Sequence, residues 1–217
     1  MPLAWQGTLF DPDGVPGPAL RRGPSAAPLL SFERLQRTRL DEHSWIDVVE
    51  SWFPQHDVLF DRLLAEGPWR QRERWMYERL ILEPRLVAGW EGESLGALPP
   101  ELAAIRAAVS RQYGTEFDSV LVNLYRDGRD GVAWHGDTVR KTLPEAVVVT
   151  VSLGERRRFL LRPGDHGPAT LTLHSGEGDL VVMGGRCQSD WQHTVPKEAH
   201  AGARMSITMR HSRPLPR

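Results

Sequence analysis

Hydrophobic positions change their period along this chain. Leu59 with Leu63, and Phe60 with Leu64, form i,i+4 pairs on one helical stripe. Pro54 opens this predicted helix, because its fixed φ suits a first helical position, and Gly67-Pro68 stops it. Leu102, Ile105 and Val109 keep the same spacing in a second helix, opened by Pro99 or Pro100 and ended by Gly114. After Gly114 the pattern breaks into short apolar or alternating runs. These predict strands at 117–125, 146–153, 158–162, 170–173, 180–183, 191–195 and 204–210, with one earlier strand at 44–49. Asp127-Gly128, Pro163-Gly164-Asp165, Ser175-Gly176 and Gly184-Gly185 supply the turns between them. Between Trp69 and Trp90, tryptophans and Tyr77 are interleaved with arginines, which reads as a hairpin or lid of strands.

Many short strands after a helical portion predict an α+β fold: a jelly roll, or double-stranded β-helix, with supporting helices and an N-terminal substrate lid. The segmentation follows. Residues 1–30 are rich in Pro and Gly and form an extended or flexible segment. Residues 31–116 give helical support and the lid, and 117–217 the jelly-roll core.

Composition narrows the chemistry. The chain has 27 Lys and Arg against 28 Asp and Glu, so it is no bulk polycation, and any nucleic-acid binding must use a local patch. The single cysteine, Cys187, excludes an internal disulfide framework and suits a reducing, cytoplasmic setting. No apolar run is long enough for a membrane span.

Two imidazoles and a carboxylate stand out within the strand-rich part. On a strand, residues i and i+2 share a face, so His135 and Asp137 can chelate one ion, with Gly136 giving backbone freedom. His193, in the strand-like Trp191-Gln192-His193-Thr194-Val195, is the best third ligand. Two His and one carboxylate on one face suit non-haem Fe(II) and leave three positions of an octahedron open. A His-x-Asp pair alone also fits a surface hydrogen bond or a turn. The segment 204–210 adds weight. Arg204, Ser206, Thr208 and Arg210 share one face, and Met205, Ile207 and Met209 the other. Guanidinium groups facing an interior need an anion, and a dicarboxylate would satisfy them bidentately. Asn123 and Tyr125 share a face on their own strand and add an amide and a phenol. A wet edge strand is the alternative reading of 204–210.

Taken together, Asn123-x-Tyr125, Trp134-His135-x-Asp137, Ser152-Leu153-Gly154, Gly178-Asp179-Leu180, Trp191-Gln192-His193-x-Val195-Pro196-Lys197 and the Arg204 to Arg210 spacing resemble the AlkB family of Fe(II)- and 2-oxoglutarate-dependent dioxygenases, over about residues 84–213. The resemblance implies that His135, Asp137 and His193 ligate iron, that Arg204 binds the distal carboxylate of 2-oxoglutarate, and that Arg210, Asn123 and Tyr125 complete that pocket, with the hydroxyls of Ser206 and Thr208 beside them. It implies O2 as co-substrate, and oxidative demethylation of N-alkylated bases in nucleic acid as the reaction, with succinate, CO2 and formaldehyde as products. Trp90 would stack a flipped base, with Arg85 and Tyr77 as further substrate contacts; Trp69 and Trp75 are expected in the core. Arg156, Arg157, Arg158 and Arg162 read as a solvated turn and strand face. The expected partner is alkylated single-stranded DNA and the expected state a monomer. Two departures stand out. Val139 occupies a place where many members carry a base-reading carboxylate, and Ser206 a place where many carry Asn. The rival readings are an oxygenase acting on RNA or a protein side chain, and a metal-binding jelly roll without turnover.

Overall fold

The structure is a computed structural model that describes residues 30–76, 78–137, 143–164 and 166–214. Tyr77, Val139 and the segment 1–29 therefore lie outside the described residues. Among the described residues, twelve strands form two antiparallel sheets. The larger runs β1 (Gln36–Arg39), β2 (Ser44–Val49), β10 (Leu180–Gly185), β7 (Val148–Gly154), β12 (Arg204–Arg210), β5 (Ser119–Tyr125), β4 (Arg79–Glu91), β3 (Arg70–Met76). The smaller runs β6 (Val132–His135), β11 (Trp191–Val195), β8 (Arg157–Pro163), β9 (Leu171–Ser175). This is the expected jelly roll, since residues of both sheets pack into one shared cluster.

Alternation decides which way each large-sheet residue points. Met205, Ile207 and Met209 of β12 sit with Val120, Val122 and Leu124 of β5 and with Val149, Val151 and Leu153 of β7 in one buried cluster. That face is covered by α1 (His56–Glu66) and α2 (Pro100–Tyr113) through Leu59, Leu63, Leu102, Ile105 and Val109. Val148, Val181 and Met183 point the other way, toward Phe159, Leu161 and Trp191 of the small sheet's side. Helix α2 starts at Pro100 after Pro99 and ends at Gly114, whose left-handed φ of 62° lets its N–H reach the Ser110 carbonyl. Helix α1 begins at His56 rather than at Pro54. No described helix is long and apolar enough to cross a membrane.

The segments 31–116 and 117–217 share the larger sheet, because β4 pairs with β5 from Leu86↔Leu124 to Glu91↔Ser119. Two expectations need correcting. Trp75 is 70% exposed on the hairpin, not buried in a core. Arg157 is fully buried: it alternates with Phe159 and Leu161 on the inner face of β8, and its guanidinium donates to the carbonyls of Asp127, Asp130 and Pro196. Strands β1 and β6, four residues each, were not predicted, and neither was the single turn of helix α3 (Cys187–Asp190). β1 is exposed along its length and carries no hydrophobic signal.

Candidate active site

Register assembles the site. His193 of β11 lies directly opposite His135 of β6, which brings their ring centroids to 4.3 Å. Asp137 follows β6 after Gly136. The three ligand atoms of His135, Asp137 and His193 all lie within 4.8 Å of one another. Gly136 has a steric reason, because a Cβ there would run into the Gln188 carbonyl oxygen. The same Gln188 accepts the Asp137 backbone N–H on its Oε1 at 2.9 Å, so α3 is the abutment that fixes the turn between the two ligands.

Polar contacts leave each ligand with an atom to spare. His135 Nδ1 lies 2.8 Å from the Ala133 carbonyl oxygen. A carbonyl only accepts, so Nδ1 carries the proton and Nε2 keeps its lone pair for a metal. Asp137 Oδ1 accepts from Arg210 Nη2 at 2.6 Å, while the buried Oδ2 has no hydrogen-bond partner. Burial pushes the Asp137 carboxyl up, but Arg210 and the two imidazoles outweigh it and hold it below the usual carboxylate range. Burial, with the neighbouring His135, pushes His193 down to about 3, so this ring is the neutral imidazole that a metal requires.

Beside the triad, β12 and β5 line a cavity of about 70 Å³. Tyr125 is opposite Arg204 and Asn123 opposite Ser206, and Thr208 and Arg210 face the same cavity. Arg204 is 1% exposed and donates from Nε to the Ser175 carbonyl and from Nη2 to Ser152 Oγ. Its Nη1 is buried with no partner, and so is Nε of Arg210. Burial pulls the Arg204 guanidinium below its ordinary value, as expected of a cation with no carboxylate beside it. Asn123 Nδ2 donates to Ser206 Oγ at 3.3 Å, and its Oδ1 accepts from Arg85 Nε at 3.0 Å.

The donor set therefore fits the implied groups. Two imidazoles and an orphaned carboxylate oxygen suit a divalent iron. Two orphaned guanidinium donors in the adjoining cavity suit a dicarboxylate, since each buried unpaired donor otherwise carries a desolvation cost.

Above His135 runs a wider groove of about 430 Å³, between β4 and the β6–β11 edge. Arg85 borders both cavities. Trp90 does not reach either of them. It pairs with Val120, on the face that carries Ala88 and Val122, and is 8% exposed within the cluster under the helices. The parity of β4 thus turns this ring away from the iron site, which overturns it as the stacking residue. Sequence reasoning passed over Gln188, Phe159, whose ring is 5.3 Å from that of His193, and Glu83 in the groove wall. Neither Glu83 nor Gln188 carries a signal of its own, since β4 is irregular between Leu82 and Leu86 and step-two counting fails there.

The sequence model of the 2OG-Fe(II) oxygenase superfamily matches residues 87–213. The chain is 33% identical over 181 residues to the Bos taurus alpha-ketoglutarate-dependent dioxygenase alkB homolog 3, covering 74% of this chain and 63% of the relative. Identity to the Homo sapiens alkB homolog 3 is 31% over 193 residues, covering 80% and 65%. Identity to the DNA oxidative demethylase ALKBH2 of Arabidopsis thaliana is 31% over 196 residues, covering 73% and 62%. The chain thus spans a little under two thirds of the length of these relatives. Among solved structures, OsALKBH1 superposes with a TM-score of 0.54 at 16% identity, over 81% of this chain and all of that one. A prolyl hydroxylase from Trichoplax adhaerens, in complex with a hypoxia inducible factor peptide, gives 0.53 at 13% identity, over 76% and 82%. These two likenesses concern the fold alone.

Proposed function

This chain belongs to the 2OG-Fe(II) oxygenase superfamily and, within it, to the AlkB family of Fe(II)/2-oxoglutarate-dependent dioxygenases, and on that premise we propose that it demethylates N-alkylated bases in nucleic acid, with single-stranded DNA as substrate. The observation that carries the reading is the set of orphaned buried atoms, Asp137 Oδ2, Arg204 Nη1 and Arg210 Nε, at one end of the jelly roll. A cation and a dicarboxylate complete all three.

The protein's own part is to hold and orient. His135, Asp137 and His193 hold iron, which with 2-oxoglutarate and O2 supplies the oxidising chemistry. Arg204 takes the distal carboxylate, with Tyr125 and Asn123 alongside and the Ser206 and Thr208 hydroxyls closing the floor. Arg210 keeps the Asp137 carboxylate turned toward the ion. The groove over His135 admits the base, which must leave its stack to reach the metal. A single strand avoids the few kcal/mol of unpairing. The exposed hairpin offers Trp75 as the stacking ring that Trp90 cannot be, with Arg70, Arg72 and Arg79 exposed on the same two strands.

The reading extends to a monomer in the cytoplasm. It is supported by an edge strand β1 that bears Arg37 and Arg39, which blunt sheet pairing, and by a lone Cys187 whose thiol burial pushes up to about 12.

The test is formaldehyde release and base analysis on oligonucleotides carrying 1-methyladenine or 3-methylcytosine. The expected result is 2-oxoglutarate-dependent repair, faster on a single strand than on a duplex. Consumption of 2-oxoglutarate with every methylated oligonucleotide left intact would sink the nucleic-acid reading and leave a protein hydroxylase in its place.

A further inference from the structure

The groove over His135 is mostly apolar, walled by Ile81, Leu82, Val132, Trp134 and Pro196. Into it comes one carboxylate, Glu83 of β4. Glu83 and Arg85 flank Pro84 where β4 departs from regular pairing with β3, and both border this groove, their ion-pair atoms 3.0 Å apart. The Glu83 side chain is 18% exposed, and its Oε2 is buried with no hydrogen-bond partner. Arg85 Nη2 lies 3.0 Å from that oxygen, near enough to balance its charge but not aligned to donate to it. The Arg85 donor that does bond, Nε, is turned to Asn123 Oδ1. A buried carboxylate oxygen that lacks a donor carries a desolvation cost, which a ligand with N–H groups would relieve.

We propose that Glu83 is the residue that selects the base: its carboxylate accepts a hydrogen bond from the exocyclic amino group of a cationic N-methylated adenine or cytosine seated in this groove. The assignment rests on the nucleic-acid reading above. A flat apolar slot holds any base by its faces, so it does not discriminate. One anionic acceptor does. 1-Methyladenine and 3-methylcytosine carry both a positive charge and an amino group beside the methylated nitrogen. 3-Methylthymine is neutral and presents carbonyl oxygens on both sides of its methylated nitrogen, which a carboxylate repels. A charge-assisted hydrogen bond is worth more than a neutral one, so the preference is for the cationic bases. Through Arg85 and Asn123 the same carboxylate is linked to the co-substrate cavity, so base and co-substrate sites share one polar chain.

The experiment compares wild type, Glu83→Gln and Glu83→Leu, each loaded with Fe(II) and 2-oxoglutarate, on single-stranded oligonucleotides carrying 1-methyladenine, 3-methylcytosine or 3-methylthymine. Glu83→Gln keeps an acceptor and loses the charge; Glu83→Leu loses both. Expected is a fall in kcat/KM on the two cationic bases of about 10-fold for Gln and about 100-fold for Leu. Activity on 3-methylthymine should hold or rise, so the selectivity ratio collapses. Binding of the same oligonucleotides to protein loaded with Mn(II), followed by fluorescence anisotropy, should show the same ratio without turnover. An equal loss on all three bases would mean that Glu83 only props the strand, and no change would mean that it faces no base; either result overturns the assignment. If wild type acts on none of the three while still consuming 2-oxoglutarate, the nucleic-acid reading has failed and this assignment falls with it.

Discussion

The inner face of β12 and the β3–β4 hairpin invert each other. On β12 the polar side chains point inward: Arg204 is 1% exposed and the apolar Met205, Ile207 and Met209 are buried on the opposite face. On the hairpin the apolar side chains point outward, with Trp75, Leu80 and Leu82 all more than half exposed. Trp75 lies directly across from Leu80. Each arrangement is costly by itself, for opposite reasons. Buried guanidinium loses its hydration, and exposed indole keeps ordered water that burial would release. Both therefore point to something that completes the region: a small anion and a metal in the first, a stacked and partly apolar surface in the second. In the first the orphaned atoms are buried, so they name the ligand's chemistry. The second is open, and names only a class of partner.

The contrast is tested most severely at the metal. Asp137→Ala or His193→Ala should reduce 2-oxoglutarate turnover to background and abolish the rise in Tm expected when Fe(II) is added to wild type, because each removes one of three candidate ligands. Circular dichroism of the metal-free variants should stay native. Retained stoichiometric iron binding in either variant would remove that residue from the ligand set.

Next in size is Trp90→Ala. If its ring is core, the change costs about 3–5 kcal/mol of stability, a fall in Tm of roughly 6–20 °C for a chain of this length. Substrate affinity of the folded fraction should be unaltered. The reverse pattern, an unchanged Tm with weakened oligonucleotide binding, would return Trp90 to the substrate side.

Arg204→Ala should weaken 2-oxoglutarate by about 1.5–3 kcal/mol, roughly 10- to 150-fold in Kd, and weaken iron far less. The check is an anaerobic titration that follows the charge-transfer band of the Fe(II)–2-oxoglutarate chelate. Equal loss of both affinities would indicate a damaged fold instead.

What the sequence made legible, and what it did not, follows from the same inversion. The bounds of β11 and β12 are as expected, because strict alternation and flanking turns leave no choice of face. The candidate triad could be picked out because two imidazoles and a carboxylate are chemically distinctive, although β6 itself was not expected and Asp137 lies just past its end. β4 was harder. It runs for 13 residues with apolar side chains on both faces, Val87 on one and Leu86, Ala88 and Trp90 on the other. Alternation sorts such residues into two sets but does not say which set the helices cover. Trp75 and Trp90 were exchanged for that reason, one expected in the core and the other at the substrate. Arg157 was lost in a run of three arginines, where charge density hid that the middle one alternates with Phe159 and Leu161.

A pH scan sharpens the buried side of the contrast. In the metal-free protein His193 has its folded pKa pushed down to about 3 by burial first and His135 next, below the ordinary 6.5. The unfolded chain therefore binds a proton that the folded one refuses in this window. Stability should fall as pH drops from 6.5 toward 3, by at most about 1.4 kcal/mol per pH unit from this one group. Asp137, also held below its ordinary value, adds to the loss only below about pH 4. Urea midpoints at stepped pH measure the slope, and His193→Gln should flatten it between pH 6.5 and 4. An unchanged slope in that variant would mean that the ring is already solvated.

The smallest effect is expected at the open region. Trp75 is 70% exposed, so truncating it removes almost no core packing, and Trp75→Ala should leave stability within about 0.5 kcal/mol of wild type. Its affinity for a methylated single strand should nonetheless fall by about 1 kcal/mol, roughly fivefold in Kd. That is the low end for a base–aromatic stack, because an exposed ring keeps water on one face. Trp75→Phe should recover part of the loss, since a smaller aromatic face still stacks. A net charge of -1 for the whole chain leaves phosphate contacts to local patches such as the hairpin arginines, so the salt dependence of Kd should be shallow and nearly the same in wild type and Trp75→Ala. Fluorescence anisotropy at three salt concentrations measures both quantities. If Trp75→Ala binds as tightly as wild type, the exposed face of the hairpin serves some other contact, and the two regions no longer belong to one site.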